Sequence, residues 1–243
     1  MLLRTVGPIV PPREGGWHRS LPTATALTIG QPWAGMLGTG LLPSAGGSIS
    51  KLMGAAKDPI GSLQGMLLVA MPTMPDPRFA HAVILLCAHN ADGAMGLVVN
   101  QTVENVTLPE VISQLGIEAV SSSQELPVHC GGPVESSRGF VLHSPDYMLE
   151  STLLIDERFA LTATVDVLKA IAQGGGPARK VFALGYAGWA AGQLDAEIQN
   201  NGWLLVPADA EIVFSDDNDS KWHRALAKLG VDPSLLSTAA GHA

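Results

Sequence analysis

Charged side chains are scarce in this chain of 243 residues: Asp, Glu, Lys and Arg together make up 15% of it, short of the roughly one quarter usual for soluble domains. Its polar surface must therefore come largely from Gly, Ser, Thr and Asn. Of the charges present, 22 are acidic and 14 basic, giving a formal charge of -8 and excluding a basic nucleic-acid tail. Cysteine is nearly absent. The two thiols, Cys87 and Cys130, cannot build a disulfide framework and fit a cytoplasmic chain kept reduced. Long apolar runs are missing too. From Ser20 to Ser50 there is no charge, yet Pro22, Pro32, Pro43 and interspersed glycines break every run short of the roughly 18 residues that a membrane helix needs. A secretory signal, which needs a compact apolar stretch, is not expected behind Arg4, where the chain reads Gly7, Pro8, Pro11 and Pro12.

What is present is unevenly spread. Eleven of the 27 glycines and seven of the 17 prolines fall within residues 1–61. That segment carries five basic residues (Arg4, Arg13, Arg19, Lys51, Lys57) and two acidic ones (Glu14, Asp58), so it is +3 while the remainder is -11. It shows neither strand nor helix periodicity. It reads as a flexible Gly/Pro-rich extension, or as sequence ahead of a later start such as Met53, and residues 62–243 read as one domain.

Within that domain, short runs of Val, Leu and Ile bounded by turn residues predict strands at 65–71, 80–87, 96–100, 127–130, 139–143, 152–155, 159–162, 180–185, 203–206 and 211–214. Helices are expected at 108–115, 165–172, 193–200 and 219–229, from apolar residues at helical spacing and from stop signals such as Gly116 and Gly174-Gly-Gly-Pro177. The loop Pro72 to Pro77 holds three prolines in six residues and is stiff. Strands in runs, broken by single helices, point to an α+β fold with a mixed, mostly antiparallel sheet.

Several long motifs recur together: Ala70-Met-Pro72 with Asp76-Pro77 and Phe79; Cys87-Ala-His89-Asn90 followed by Gly93-Ala-Met-Gly-Leu-Val-Val-Asn100; Gly131-Gly-Pro-Val134 with Arg138-Gly-Phe-Val-Leu-His143; Leu184-Gly-Tyr-Ala-Gly-Trp189 with Gly192-Gln-Leu194, Glu197-Ile198 and Trp203; and the ending Gly241-His-Ala243. In their order and spacing residues 62–243 resemble the YqgE/AlgH family of bacterial proteins. Cys130 departs from the family pattern, where an ordinary apolar residue is expected. The resemblance implies a bifurcated sheet that closes toward a pseudo-barrel, flanked by helices, in a cytoplasmic protein of a kind often labelled a transcriptional regulator. It carries over no catalytic residues.

The residues themselves suggest several sites. Cys87 and His89 are two apart at a predicted strand end, which puts both on one face about 7 Å apart. An imidazole there could activate a thiolate for nucleophilic or redox chemistry, and a core cysteine is the plainer alternative. Asn100, Arg138, His143 and Gln193 each open or close an apolar segment and are candidates for a ligand cleft, or else turn and cap residues. Gly131-Gly-Pro133 lacks the Gly-Lys-Ser/Thr of a phosphate loop. Gly185 to Gly192 follows a predicted strand and opens a helix, where a phosphate could meet the helix N-terminus, but Asp195 and Glu197 in its first turns would repel an anion, and glycines that let Trp189 and the helix pack closely on the sheet are the plainer reading. His81, His89, His129 and His143 show no zinc spacing, so no metal and no cofactor is expected.

A DNA-binding face is not supported either, since nine basic residues stand against twenty acidic ones in the domain and no basic recognition helix is evident. The expectation is a binding or regulatory protein acting through an unknown small molecule or protein partner, with a thiol enzyme or redox sensor at Cys87 and His89 as the alternative. A homodimer is compatible with the sequence, although no residue signature marks one.

Overall fold

The computed structural model describes residues 61–119, 126–232 and 236. The N-terminal extension, Gly61 apart, and the closing Gly241-His-Ala243 motif lie outside the described residues. Among the described residues ten strands join one sheet: β1 Met66–Ala70, β2 Val83–Asn90, β3 Gly93–Val98, β4 Thr102–Thr107, β5 Pro127–Cys130, β6 Val134–His143, β7 Leu153–Leu154, β8 Ala160–Thr162, β9 Lys180–Ala190 and β10 Trp203–Pro207. The helices are α1 Leu108–Gln114, α2 Val165–Ala172, α3 Gln193–Gln199, α4 Ala210–Val213 and α5 Lys221–Lys228, with a 3-10 turn at Pro77–Phe79.

The main path of the sheet runs β10-β1-β2-β3-β9-β6-β8-β7, all antiparallel. β9 is the hub. Its second half pairs with β3 through Ala187 to Ala190, and its first half pairs in parallel with β5 through Phe182 to Leu184, while β6 occupies the opposite edge. The sheet therefore forks along one edge of β9 and curls into a half-barrel, the bifurcated α+β architecture expected.

Both faces of β1 and β2 are covered, which explains their unbroken apolar sequences. Leu67, Val69, Leu85 and Cys87 join one core cluster with Phe140, Phe159 and Trp222; Leu68, Ala70, Ile84 and Leu86 join another with Trp189 and Trp203. A third cluster packs α1 and α2 over Val128, Val141 and Phe182. In α1 the Glu110 carboxylate accepts from the Thr107 backbone N–H at 2.7 Å, reaching back to cap the helix start, and Gly116 at φ +69° ends it.

Four sequence expectations are corrected. The segment 211–214 is helical, because Asp209 caps it (Oδ1 to Glu211 N, 2.9 Å) and this local bond outweighs the strand preference of Ile212-Val213. β4 was not foreseen: its largely exposed residues lack alternation, and Asn105 is left-handed at φ +59°. β6 begins five residues earlier than expected, the pairing being irregular between Val134 and Gly139. The strand expected to end at Gly185 continues five residues further, to Ala190. Gly185 has φ +72°, and a Cβ on it would overlap the Gly132 carbonyl, just as one on Gly132 would overlap the Tyr186–Ala187 peptide. The two glycine motifs are thus complementary halves of one close backbone crossing.

Candidate functional site

At that crossing the loop after β1 and helix α3 form the walls of a cleft. Asp76 accepts from the Arg78 backbone N–H at 2.9 Å and pairs with its guanidinium at 2.6 Å, so the side-chain bond to Arg78 holds the Asp76 carboxyl below its usual range. This knot, with the prolines around it, fixes Phe79 edge-on to Trp203, centroids 5.6 Å apart and planes at 71°. Trp203 meets Trp189 in a second edge contact at 6.1 Å. On α3, Glu197 Oε2 accepts both indole N–H groups, from Trp189 at 2.9 Å and Trp203 at 2.8 Å, and Oε1 accepts from Gln193 at 2.9 Å.

The cleft between these walls has a volume of about 570 Å³, with Pro75, Pro133 and Val134 also in its lining. Its chemistry follows from those bonds. Both indole N–H groups and both Glu197 oxygens are engaged, so the rings offer carbon surface and the directed polar groups lie with Arg78 and Asn200. Among the described residues the lining contains no Ser, Thr, Cys, His, Lys or Tyr. Carbon surface with a few directed polar groups is suited to recognition.

Cys87 and His89 are not brought together. The β2–β3 register shifts between Leu86 and Ala88, making Cys87 the extra residue of a β-bulge. Cys87 and Ala88 consequently both enter the first cluster, and His89 turns to the opposite side. The Cys87 thiol is wholly buried, donates to Leu85 O at 3.5 Å, and is pushed up to about 12 by burial. His89 Nδ1 accepts from the Leu63 backbone N–H at 3.1 Å, and Nε2 lies 3.9 Å from Asp195. The expectation of a shared face fails because period-two counting assumes an unbroken strand.

Nor do Asn100, Arg138, His143 and Gln193 converge on one cleft. Asn100 locks a turn, accepting from Val83 N at 2.8 Å and donating to His81 O at 2.9 Å. Arg138 pairs with Glu135 at 3.1 Å and covers the Phe140 ring at 5.2 Å. His143 is buried between Ser144 O at 2.8 Å and Thr162 Oγ1 at 2.9 Å, and burial pushes its imidazole down. Gln193 alone lines the aromatic cleft.

Sequence reading missed a buried cationic corner as well. Lys221 is fully buried, its ammonium donating to Val99 O at 2.7 Å and Val213 O at 3.0 Å, and burial brings it down to about 8. Nearby His129 bonds Asn218 at 3.1 Å and falls to about 4, mainly by burial. A lone lysine on an amphipathic helix gives no sign of this. Among the described residues no cluster of three or more His, Cys, Asp or Glu could hold a metal, and no helix is long and apolar enough to cross a membrane.

The fold and the motif-built cleft define a class. Residues 67–234 match the AlgH-like family model, and the chain belongs to that family. A UPF0301 protein of Rhodospirillum rubrum is 55% identical over 183 residues, covering 75% of this chain and 95% of the relative; one from Cereibacter sphaeroides is 52% identical over 182 residues, covering 74% and 99%. The solution structure of the AlgH protein from Pseudomonas aeruginosa is similar at 44% identity with a TM-score of 0.63, covering 78% of this chain and all of that one. A protein from Corynebacterium diphtheriae, at 23% identity and a TM-score of 0.56, shares the fold.

Proposed function

We propose that this protein is a cytoplasmic binding protein with a regulatory role, acting through a ligand or protein partner seated in the cleft between the Pro72–Phe79 loop and α3, and not through direct DNA contact. One observation carries the reading: the segments that make the family resemblance, far apart in sequence, supply the walls of this one cleft. Phe79 comes from the first, Pro133 and Val134 from the third, and Trp189, Gln193, Glu197 and Trp203 from the fourth. The excess of acidic charge argues against a phosphate-binding surface. The alternative thiol enzyme draws no support from a buried thiol held at about 12 and turned away from His89.

The test is a ring N–H spectrum of Trp189 and Trp203 during titration with a panel of metabolites and synthetic peptides. At least one class of compound is expected to shift both signals saturably, and Asn200→Trp, at an exposed lining position, should abolish the shift. Binding that leaves both indoles unmoved would overturn the site, and sequence-selective DNA retardation at low salt would overturn the mode. For the thiol alternative, alkylation of the folded protein at neutral pH should be confined to Cys130; rapid labelling of Cys87 would restore it.

A further inference from the structure

We propose that the aromatic cleft binds a small organic cation carrying a fully methylated, quaternary ammonium group. The inference rests on the reading of the cleft as a recognition site and names the chemistry of its ligand. Charge, ring geometry and the state of the hydrogen-bonding groups each lead to it.

Charge comes first. The lining carries two carboxylates, Asp76 and Glu197, and one cation, Arg78. Asp76 and Arg78 hold each other: Nε of the guanidinium donates to the carboxylate at 3.0 and 3.1 Å and Nη2 at 2.6 Å. Glu197 is met by three neutral donors, the two indoles and the Gln193 amide. Among the described residues no ion pair balances its formal charge, and a cation seated in the cleft would do so.

The rings come second. Trp203 meets Phe79 at 71° between planes and Trp189 at 80°, so the three rings that line the cleft stand nearly at right angles, like the sides of a corner. An aromatic face carries the negative part of the ring quadrupole and attracts a cation within about 6 Å. One such contact is already made, with the Arg78 guanidinium 5.9 Å from the Phe79 centroid. Donation of both indole N–H groups to one carboxylate polarises the tryptophan rings further in the same sense.

The hydrogen-bonding groups decide which cation. A primary ammonium brings three N–H donors and a guanidinium five, and each buried donor needs an acceptor. The carboxylate oxygens of the lining are already engaged, those of Asp76 by Arg78 and those of Glu197 by the indoles and Gln193. A quaternary ammonium has no N–H to satisfy and presents its charge through methyl groups, which pack on ring and proline carbon. The walls set the size. A cleft of about 570 Å³ is that of a small-molecule site, and Pro75 and Pro133 lack the backbone N–H with which a wall pairs to an extended peptide.

The probe is choline, titrated into the full chain while the ring N–H signals of Trp189 and Trp203 are followed. Two controls accompany it: neohexanol, the neutral isostere with carbon in place of nitrogen, and ethanolamine, the unmethylated amine. Choline should shift both signals saturably and bind about tenfold more tightly than either control. Glu197→Gln, whose amide oxygen can still accept from both rings, should erase the preference for choline over neohexanol. Equal affinity for choline and either control in the native chain overturns the proposal without need of the variant. A trimethyl-lysine peptide that binds tighter than choline by about tenfold overturns the assignment to a small molecule. Indoles that do not respond to choline overturn the ligand class. If other metabolites or peptides still shift both indoles, the cleft stands as a recognition site and only its ligand is wrong. If none does, the reading of the cleft falls with it.

Discussion

Glu197 and Lys221 are charged residues set against the same sheet, and the protein satisfies them in opposite ways. Glu197 is half-buried at a cleft wall and gathers side-chain donors, two indoles and an amide, from three different elements. Lys221 has no exposed surface and is held by two backbone carbonyls, at the end of β3 and on α4. The first arrangement positions aromatic rings beside a cavity and can exchange a lost bond for water. The second ties distant parts of the backbone together where no water can replace it.

That contrast is sharpest at Lys221. Lys221→Ala should cost about 3–5 kcal/mol by urea denaturation, because it orphans both carbonyls and leaves a void. Lys221→Met keeps the stem and removes the cost of burying the charge, so it should cost clearly less; equal losses would mean that the ammonium bonds dominate. Next is His129. Its imidazole titrates near 6.5 in the unfolded chain and at about 4 in the fold, so between those values the unfolded chain holds the extra proton. Stability is therefore full above pH 6.5 and falls as pH drops toward 4, by on the order of 2–3 kcal/mol at 1.36 kcal/mol per unit. His129→Gln should flatten that slope in denaturation curves taken from pH 7 to 4. Glu197→Ala should cost only about 1–2 kcal/mol, since solvent reaches the site, yet it should speed hydrogen exchange at both indoles. Glu197→Gln keeps an acceptor for the rings and should cost under about 1 kcal/mol. A Glu197→Ala loss as large as that of Lys221→Ala would erase the distinction between the two sites.

The legible parts of the fold were those decided locally. β1, β5, β8, α1 and α2 appear where their apolar runs and stop residues place them, within a residue or two, because both faces are covered and Gly116 and Gly174 end the helices. Features set by distant partners were not legible. The continuation of β9 past Gly185 depends on Gly132, more than fifty positions away, and the bulge at Cys87 depends on how β2 meets β3. The cleft is half visible: Gln193 is among the cleft candidates and Trp189, Glu197 and Trp203 stand in one motif, but that Glu197 joins both rings is not legible, because its spacings to Trp189 and Trp203 match no helix or strand repeat.

The bulge at Cys87 also acts as a shift of phase within the strand. Before it, even-numbered residues such as Ile84 and Leu86 address the cluster of Trp189; after it, the odd-numbered His89 does. Cys87 is thus the one residue of β2 that the alternation does not count. Its removal would leave every later side chain on the face it now occupies, whereas removal of Leu85 would turn one end of the strand inside out. In the grammar of insertions and deletions, this core strand carries a single silent letter, buried in its middle.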